Sequence, residues 1–524
     1  MEPAVPRRAI LTVALVLAAA LAAFAAPAQA DGRQGSASPG APGIGDRLFP
    51  TLGNGGYDVL HYHLDLRYAT SAPSQSIDGT VTIVARATQS LSRFNLDFGG
   101  ASVGSVSVNH RRADFTREGE ELVITPRRAL ARHRLFVVRV SDFVAVPTEP
   151  NPEDFSTTAF FITPDGSATA PQPDFAHRIF PSNDHPRDEA SYSFRVDTPS
   201  DVLAVTNGVR TSKRTRGDRT IWTYVQRQPM ASELLQLAVG RYDLTERGRH
   251  RGVIRRDVTA PSLTAFLEDK VTLANEHLDY MTARVGRYPF DAYGSFVVDT
   301  EIGFALETQT MSLYDRVWFV DLTQGVWEPT MVHELAHEWF GNSVSPFEWS
   351  DLWLNEGHAS WYEFLYAEEH GQLAEDTENW PDETGYATVE ELMRAIYAHG
   401  DEWRAEFGPV ALPVGPEALF SFQSYHGGAL VLYALRQEIG REAFERLQRE
   451  WARRYDDESA STEDFIELAS RVARRDLRPF LEDWVYGTET PPMPGHPDWT
   501  VNPVEAGAQT LRAPAAGRAG RPTP

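Results

Sequence analysis

The stretch that most constrains this chain runs from His333 to Asn342, His-Glu-Leu-Ala-His-Glu-Trp-Phe-Gly-Asn. Val332, Leu335, Ala336, Trp339 and Phe340 recur at i, i+3, i+4, i+7 and i+8, which is one apolar helical face. Pro329 suits the first turn of such a helix, and Gly341-Asn342 suits its end. His333 and His337 then stand one turn apart with both imidazoles pointing the same way, and Glu334 lies on the same arc. Two imidazoles so placed can grip one Zn²⁺, and the carboxylate between them can hold the metal's water. Cysteine is absent. Disulfides, thiolate metal sites and Cys nucleophiles are thereby excluded, and any metal site must use His and carboxylate.

A catalytic zinc needs a third protein ligand and an open fourth position. Further on stands Trp353-Leu354-Asn355-Glu356-Gly357, with eighteen residues between His337 and Glu356. That is the spacing by which gluzincins bring a second helix alongside the first. With Trp339-Phe340-Gly341-Asn342 and Asn355-Glu356-Gly357 included, the stretch resembles the catalytic core of the aminopeptidase N and leukotriene hydrolase family of zinc metallopeptidases. The resemblance implies one zinc per chain, held by His333, His337 and Glu356. It implies Glu334 as the general base acting on a metal-activated water.

Three further segments resemble parts of that family. Gly303-Phe304-Ala305-Leu306-Glu307-Thr308-Gln309 stands where the family has its exopeptidase loop, usually Gly-Ala-Met-Glu-Asn. Ala305 and Glu307 match. Phe304 replaces the first Gly, which tolerates backbone conformations that Phe does not. Glu307 is implied to bind the substrate ammonium and so restrict cleavage to N-terminal residues. Gln172, in Gln172-Pro173-Asp174-Phe175-Ala176, falls where relatives carry a Glu or Gln that contacts the free amine; as Gln it can only accept a hydrogen bond there. Tyr425-His426-Gly427-Gly428 resembles the family's Tyr-Glu-Lys-Gly motif and implies Tyr425 as the oxyanion donor. Asp351 is a candidate outer acceptor for a ligand His, Glu338 reads as a solvated neighbour, and Asp184 and His185 read as structural.

The domain reading follows the change of period. Residues 1–30 read as a signal peptide, with Arg7-Arg8, an apolar run from Ala9 to about Ala26, and Ala28-Gln29-Ala30 before the cleavage point. Residues 31–46, rich in Gly, Ser, Ala and Pro, read as a flexible lead-in. Residues 47–248 read as an antiparallel β domain, saddle-shaped by the family resemblance. Its signals are the alternation around Val81, Ile83 and Ala85, the run Phe94, Leu96, Phe98, the runs 135–140 and 221–225, and a hairpin-type turn at Asn207-Gly208. From Pro261 the period becomes helical, with Leu263, Phe266, Leu267, Val271, Ala274 and Leu278 on one face. Residues 249–494 are expected to form a thermolysin-like zinc domain with a mostly helical lower lobe, and 495–524 a disordered tail. The fold class is therefore β plus α/β in two domains. The family's additional helical domain has no counterpart in the available length, so a more open cleft is expected.

Net charge is −24, which makes nucleic acid and anionic lipid poor partners. The expected partners are peptides with a free N-terminus, with no stable membrane insertion once the signal is removed and no indication of oligomeric state. The expected location is extracellular or the cell envelope. The function expected is an exported zinc aminopeptidase. A zinc endopeptidase on the same fold, and an inactive exported binding protein, are the alternatives.

Overall fold

In the strand Ile77–Ala87, residues Ile77, Val81, Ile83, Ala85 and Ala87 are buried, while Asp78 and Arg86 face solvent. This period of two places one face of a large sheet on the core. The computed structural model describes residues 36–502, apart from 153, 379–380 and 382–383. The main sheet has eight strands in the order 209–216, 219–230, 190–199, 57–68, 77–87, 135–145, 105–108 and 111–112. All neighbours are antiparallel except Tyr57–Tyr68 against Ala190–Pro199, which run parallel. Two four-stranded sheets complete the β-rich half. One of them, built from 160–163, 166–169, 203–206 and 237–240, leads directly into the functional site.

The following half opens with a sheet whose main path runs 243–250, 253–259, 295–298, 312–315 and 305–306. The expected boundary at 248/249 falls inside its first strand, Asp243–His250. Helices follow, chief among them Gln324–Ala336, Trp353–Glu369 and Gly428–Ile439. Among the described residues no helix is long and apolar enough to cross a membrane.

Several expectations need correction. The lead-in is not free as far as residue 46. Ser38 and Pro39 pair with the strand at Leu91 and Arg93. Asp46 is buried, accepting from the Trp349 N–H at 2.7 Å and lying 3.1 Å from His185 Nε2. Flexible composition is overridden here by partners far along the chain. The tail is likewise packed as far as residue 502: Trp499 stacks on Tyr433 at 5.9 Å and 6°, and the Asn502 N–H donates to the Ala398 carbonyl at 2.7 Å. The proposed signal peptide and residues 503–524 lie outside the described residues. Asn207-Gly208 does make a turn, with Gly208 at φ +75°. The strands it joins belong to different sheets, so it is no hairpin. The helical run after Pro261 forms two helices, Thr264–Val271 and Ala274–Arg284. Leu267, Val271, Ala274 and Leu278 are buried, but Phe266 is 45% exposed.

Candidate metal centre and amine anchor

The helix carrying the two histidines begins at Gln324, earlier than Pro329 suggested. Thr323, with extended φ/ψ, takes the N-cap position, and Pro329 sits inside the helix. Its missing N–H leaves one helical hydrogen bond unmade. Trp327 through Ala336 are all buried. This is a central helix and not a surface one, which is why its apolar stripe understates its burial. The regular helix stops at Ala336, and residues 338–342 form a wide turn in which Phe340 (φ −117°, ψ 87°) and Gly341 (φ +133°) leave helical geometry. A Cβ on Gly341 would lie 3.2 Å from Asn355 Nδ2 and 3.3 Å from His337 Nδ1. Glycine is required here both for the dihedral and for the close approach of the next helix.

That approach brings three donor atoms together. Glu356 Oε2 lies 3.4 Å from His333 Nε2 and 3.4 Å from His337 Nε2. The donor atoms of the three residues all fall within 4.8 Å of one another. The remaining ring nitrogens are also engaged. His333 Nδ1 meets Glu363 Oε2 at 2.8 Å, and His337 Nδ1 meets the Phe340 carbonyl at 3.1 Å. Acceptors at Nδ1 orient each ring so that Nε2 points inward as a lone-pair donor.

The electrostatics fit a cation at this point. Burial raises the Glu356 pKa, but His337 and His333 outweigh it and bring it down to about 2. Burial lowers the His337 pKa, but Glu307 and Glu356 outweigh it and lift it to about 9. His333 is lifted well above its usual range, the carboxylates of Glu363 and Glu356 overcoming burial. The carboxylates gathered around these buried imidazoles mark a place where a positive charge is favoured. Glu356 Oε2 and Glu334 Oε2 are buried with no hydrogen-bond partner. Two imidazoles and a carboxylate suit zinc, and three ligands leave a fourth tetrahedral position.

Glu334 and Tyr425 face the same space. Burial first, and then the charge of Glu307 with a part from Glu356, push Glu334 up to about 8 against the pull of the two imidazoles. Tyr425 comes from a wide turn, Gln423–Gly427, that enters the helix Gly428–Ile439. Gly357 and Gly428 let that helix lie against the ligand helix, since a Cβ on Gly357 would come within 2.9 Å of Gly428 Cα. The Tyr425 ring then lies 6.0 Å from the His333 ring at 16°. Burial, followed by Glu356, Glu307 and Glu334, keeps its phenol well above the usual value and therefore protonated.

The candidate amine-binding residues are assembled from both halves of the molecule. Gln172 Nε2 donates to Glu307 Oε1 at 2.7 Å. Its two-ended amide can steady one carboxylate and still offer an oxygen as acceptor. Ala305–Leu306 forms the edge strand of its sheet, paired with Leu313–Tyr314. The left-handed backbone falls on Gly303 (φ +91°) and not on Phe304, so the Phe substitution leaves the loop attainable.

Asp351 does not orient a ligand. It accepts from Thr462 N and Thr462 Oγ1 at 2.8 and 2.7 Å. The outer acceptor is Glu363, which sequence reading missed. It stands two turns beyond Glu356 on the same helix face, a spacing that could have exposed it. Glu338 is not solvated: it is fully buried, and burial raises its pKa well above the usual range. Asp184 and His185 are structural, bound to His177 and Asp46.

A two-His helix, a carboxylate from the neighbouring helix and a β-rich half that reaches the site together define a gluzincin type of metallopeptidase. Residues 59–234 match the Peptidase M1 N-terminal domain, and residues 276–484 match the Peptidase family M1 domain. A solved M1 zinc metallopeptidase from Deinococcus radiodurans superimposes with a TM-score of 0.72 at 27% identity, covering 86% of this chain and 99% of that one. A mutant of the enzyme solved with a Tyr-Ser-Ala substrate gives 0.73 at 27% identity, covering 87% of this chain and 100% of that one. Mouse (Mus musculus) glutamyl aminopeptidase is 25% identical over 338 residues, which is 61% of this chain and 34% of that protein. Aminopeptidase M1-B of Oryza sativa subsp. japonica is 26% identical over 321 residues, 59% of this chain and 35% of that protein. The chain spans about a third of the length of these curated relatives. The chain belongs to the M1, or aminopeptidase N, family of zinc metallopeptidases.

Proposed function

We propose that this chain is an exported zinc aminopeptidase that removes single residues from peptides with a free N-terminus. The observation that carries the reading is the Glu307 carboxylate, buried, held by Gln172 at 2.7 Å, and close enough to the metal group to act on His337 and Glu334. A buried carboxylate at that place pairs with a substrate ammonium and sets the first peptide bond over the reacting groups.

A zinc ion held by His333, His337 and Glu356 supplies Lewis acidity, polarising a carbonyl and acidifying water. Glu334 takes a proton from the attacking water as its oxygen bonds to the carbonyl carbon. A carboxylate facing the reacting water suits both taking a proton and returning it. The Tyr425 hydroxyl donates to the carbonyl oxygen as negative charge gathers there. Glu334 then delivers its proton to the leaving nitrogen, the C–N bond breaks, and the free amino acid and the shortened peptide separate. The edge strand at Ala305–Leu306 offers backbone groups with which an extended peptide can pair. Export is supported by Arg7-Arg8, the apolar run and Ala28-Gln29-Ala30, which together read as a secretory signal.

The test is a panel of aminoacyl-p-nitroanilides and short peptides, each with and without an N-acetyl group, assayed with and without chelator. Chelator-sensitive turnover of the unblocked members is expected. Equal turnover of blocked peptides would replace this reading with the endopeptidase one.

A further inference from the structure

The turn that follows His337 carries two side chains that no step of the proposed reaction uses. Glu338 Oε1 accepts from the Thr310 backbone N–H at 2.9 Å, and Oε2 lies 3.2 Å from the same nitrogen. Oε2 also meets the Tyr288 hydroxyl at 2.8 Å, and that hydroxyl lies 2.9 Å from the Ala292 carbonyl oxygen. Asn342 Nδ2 donates to the Glu307 backbone oxygen at 2.7 Å. Glu307 and Thr310 are the two ends of the loop that presents the Glu307 carboxylate. The two ends of the turn leaving the second metal ligand therefore hold the two ends of the amine-binding loop.

The grip at Thr310 meets a real conformational need. Thr310 has φ +70°, left-handed for a β-branched residue. Such a residue stays there only if its surroundings over-determine it. Part of the hold comes from the β-rich half: Gly208 N donates to Thr310 Oγ1 at 2.8 Å, and Asn207 Nδ2 donates to the Gln309 carbonyl at 2.7 Å. Glu338 supplies the hold from the metal side.

We propose that Glu338 is a positioning residue that sets the distance between the Glu307 carboxylate and the metal group, and so fixes cleavage at the first peptide bond. The inference rests on the aminopeptidase reading above. Glu338 lies one residue beyond a ligand, yet its side chain is spent on the amine loop. Its loss should therefore act on recognition of the substrate amine more than on the chemical step. Gln has the same length and a carbonyl oxygen for the Thr310 N–H, and its NH₂ can donate to the Tyr288 oxygen while the Tyr288 hydroxyl donates to the Ala292 carbonyl instead. Ala has neither.

The experiment compares zinc-loaded wild type, Glu338→Ala, Glu338→Gln and Tyr288→Phe on an aminoacyl-p-nitroanilide and on a peptide pair with and without N-acetylation, with zinc content measured for each. Glu338→Ala is expected to raise KM for the unblocked substrate about tenfold while kcat changes less than threefold, and to narrow the preference for free over acetylated peptide. Glu338→Gln is expected within about twofold of wild type. Tyr288→Phe keeps the ring and is the gentler probe, with an expected KM rise of about threefold if Glu338→Ala does not fold. Unchanged KM in both Glu338→Ala and Tyr288→Phe overturns the proposal. So does loss of zinc in step with activity, which would make Glu338 a support of the metal helix, and so does a Gln variant as impaired as the Ala variant. If the wild type shows no preference for free amines, the aminopeptidase reading itself has failed, and the wild-type measurement alone reveals that.

Discussion

His333, His337 and Glu356 come from one short span of chain and two adjoining helices, whereas Gln172 and Glu307 stand 135 residues apart and come from different halves of the molecule. The ligands converge because helical spacing and one glycine, Gly341, put them there. The proposed amine anchor converges only because the two halves dock. Gln236 shows how closely: its Oε1 lies 3.0 Å from Thr308 Oγ1, and its Nε2 donates to the Thr169 carbonyl at 3.2 Å. One buried side chain thus bridges the loop of Glu307 and the segment leading to Gln172. The difference teaches that chemistry and register are encoded separately. Damage to one should leave the other measurable.

The sharpest break is Glu334→Gln, which should lower kcat by about 10³-fold or more on every substrate, blocked or free, while zinc stoichiometry stays at wild type. Activity near wild type in that variant would remove Glu334 from the base role. Tyr425→Phe should cost about 10²- to 10³-fold in kcat with KM little moved, as expected for a donor used chiefly in the transition state; steady-state kinetics on one reporter checks it. On the other side of the comparison, Glu307→Ala should lower kcat/KM for unblocked peptides by about 100-fold, the loss of a charge-assisted contact. An equal loss on N-acetylated peptides would show that the two functions are not separate. Glu363→Gln should leave the amine preference intact and weaken zinc binding by about 10- to 100-fold, read by competition with a chromophoric chelator.

The smallest effect is a stability one on the anchor side. His177 follows the Gln172 segment and meets Asp184 at 2.7 Å. Burial lowers its pKa from 6.5, but its bonds to Asp184 and Glu120 outweigh burial and hold it at about 10. Because the folded value lies above the unfolded one, the stabilisation is complete below pH 6.5 and is lost as pH rises through 10. Thermal midpoints should fall by about a few degrees between pH 7 and pH 10.5, and by less in His177→Gln. Equal slopes in the two proteins would show that the pair contributes nothing to this pH dependence.

Glu338 and Glu363 mark where sequence reading stopped. Glu338 stands beside a motif residue and Glu363 two turns beyond one, and solvation is the ordinary fate of such a side chain. What reversed it was burial of whole helices that a stripe of apolar residues could not announce. The lead-in tells the same story. Gly, Ser and Pro around residue 40 describe backbone freedom, but Asp46 found partners at His185 and Trp349.

The amino-acid order alone determined the spacing of the two imidazoles, the acid between them and the change from period two to helical period, while the third carboxylate was legible through the family resemblance. The first three are local consequences of helical and pleated geometry, legible in a window of a dozen residues. Only the tertiary structure decided that Gln172 would bind Glu307, that Asn342 and Glu338 would hold the loop's ends, and that Tyr425 would stand over His333. Those contacts depend on how two domains dock and how closely Gly357 lets Gly428 approach. Free energies of that kind are summed over many distant contacts and leave no pattern along the chain.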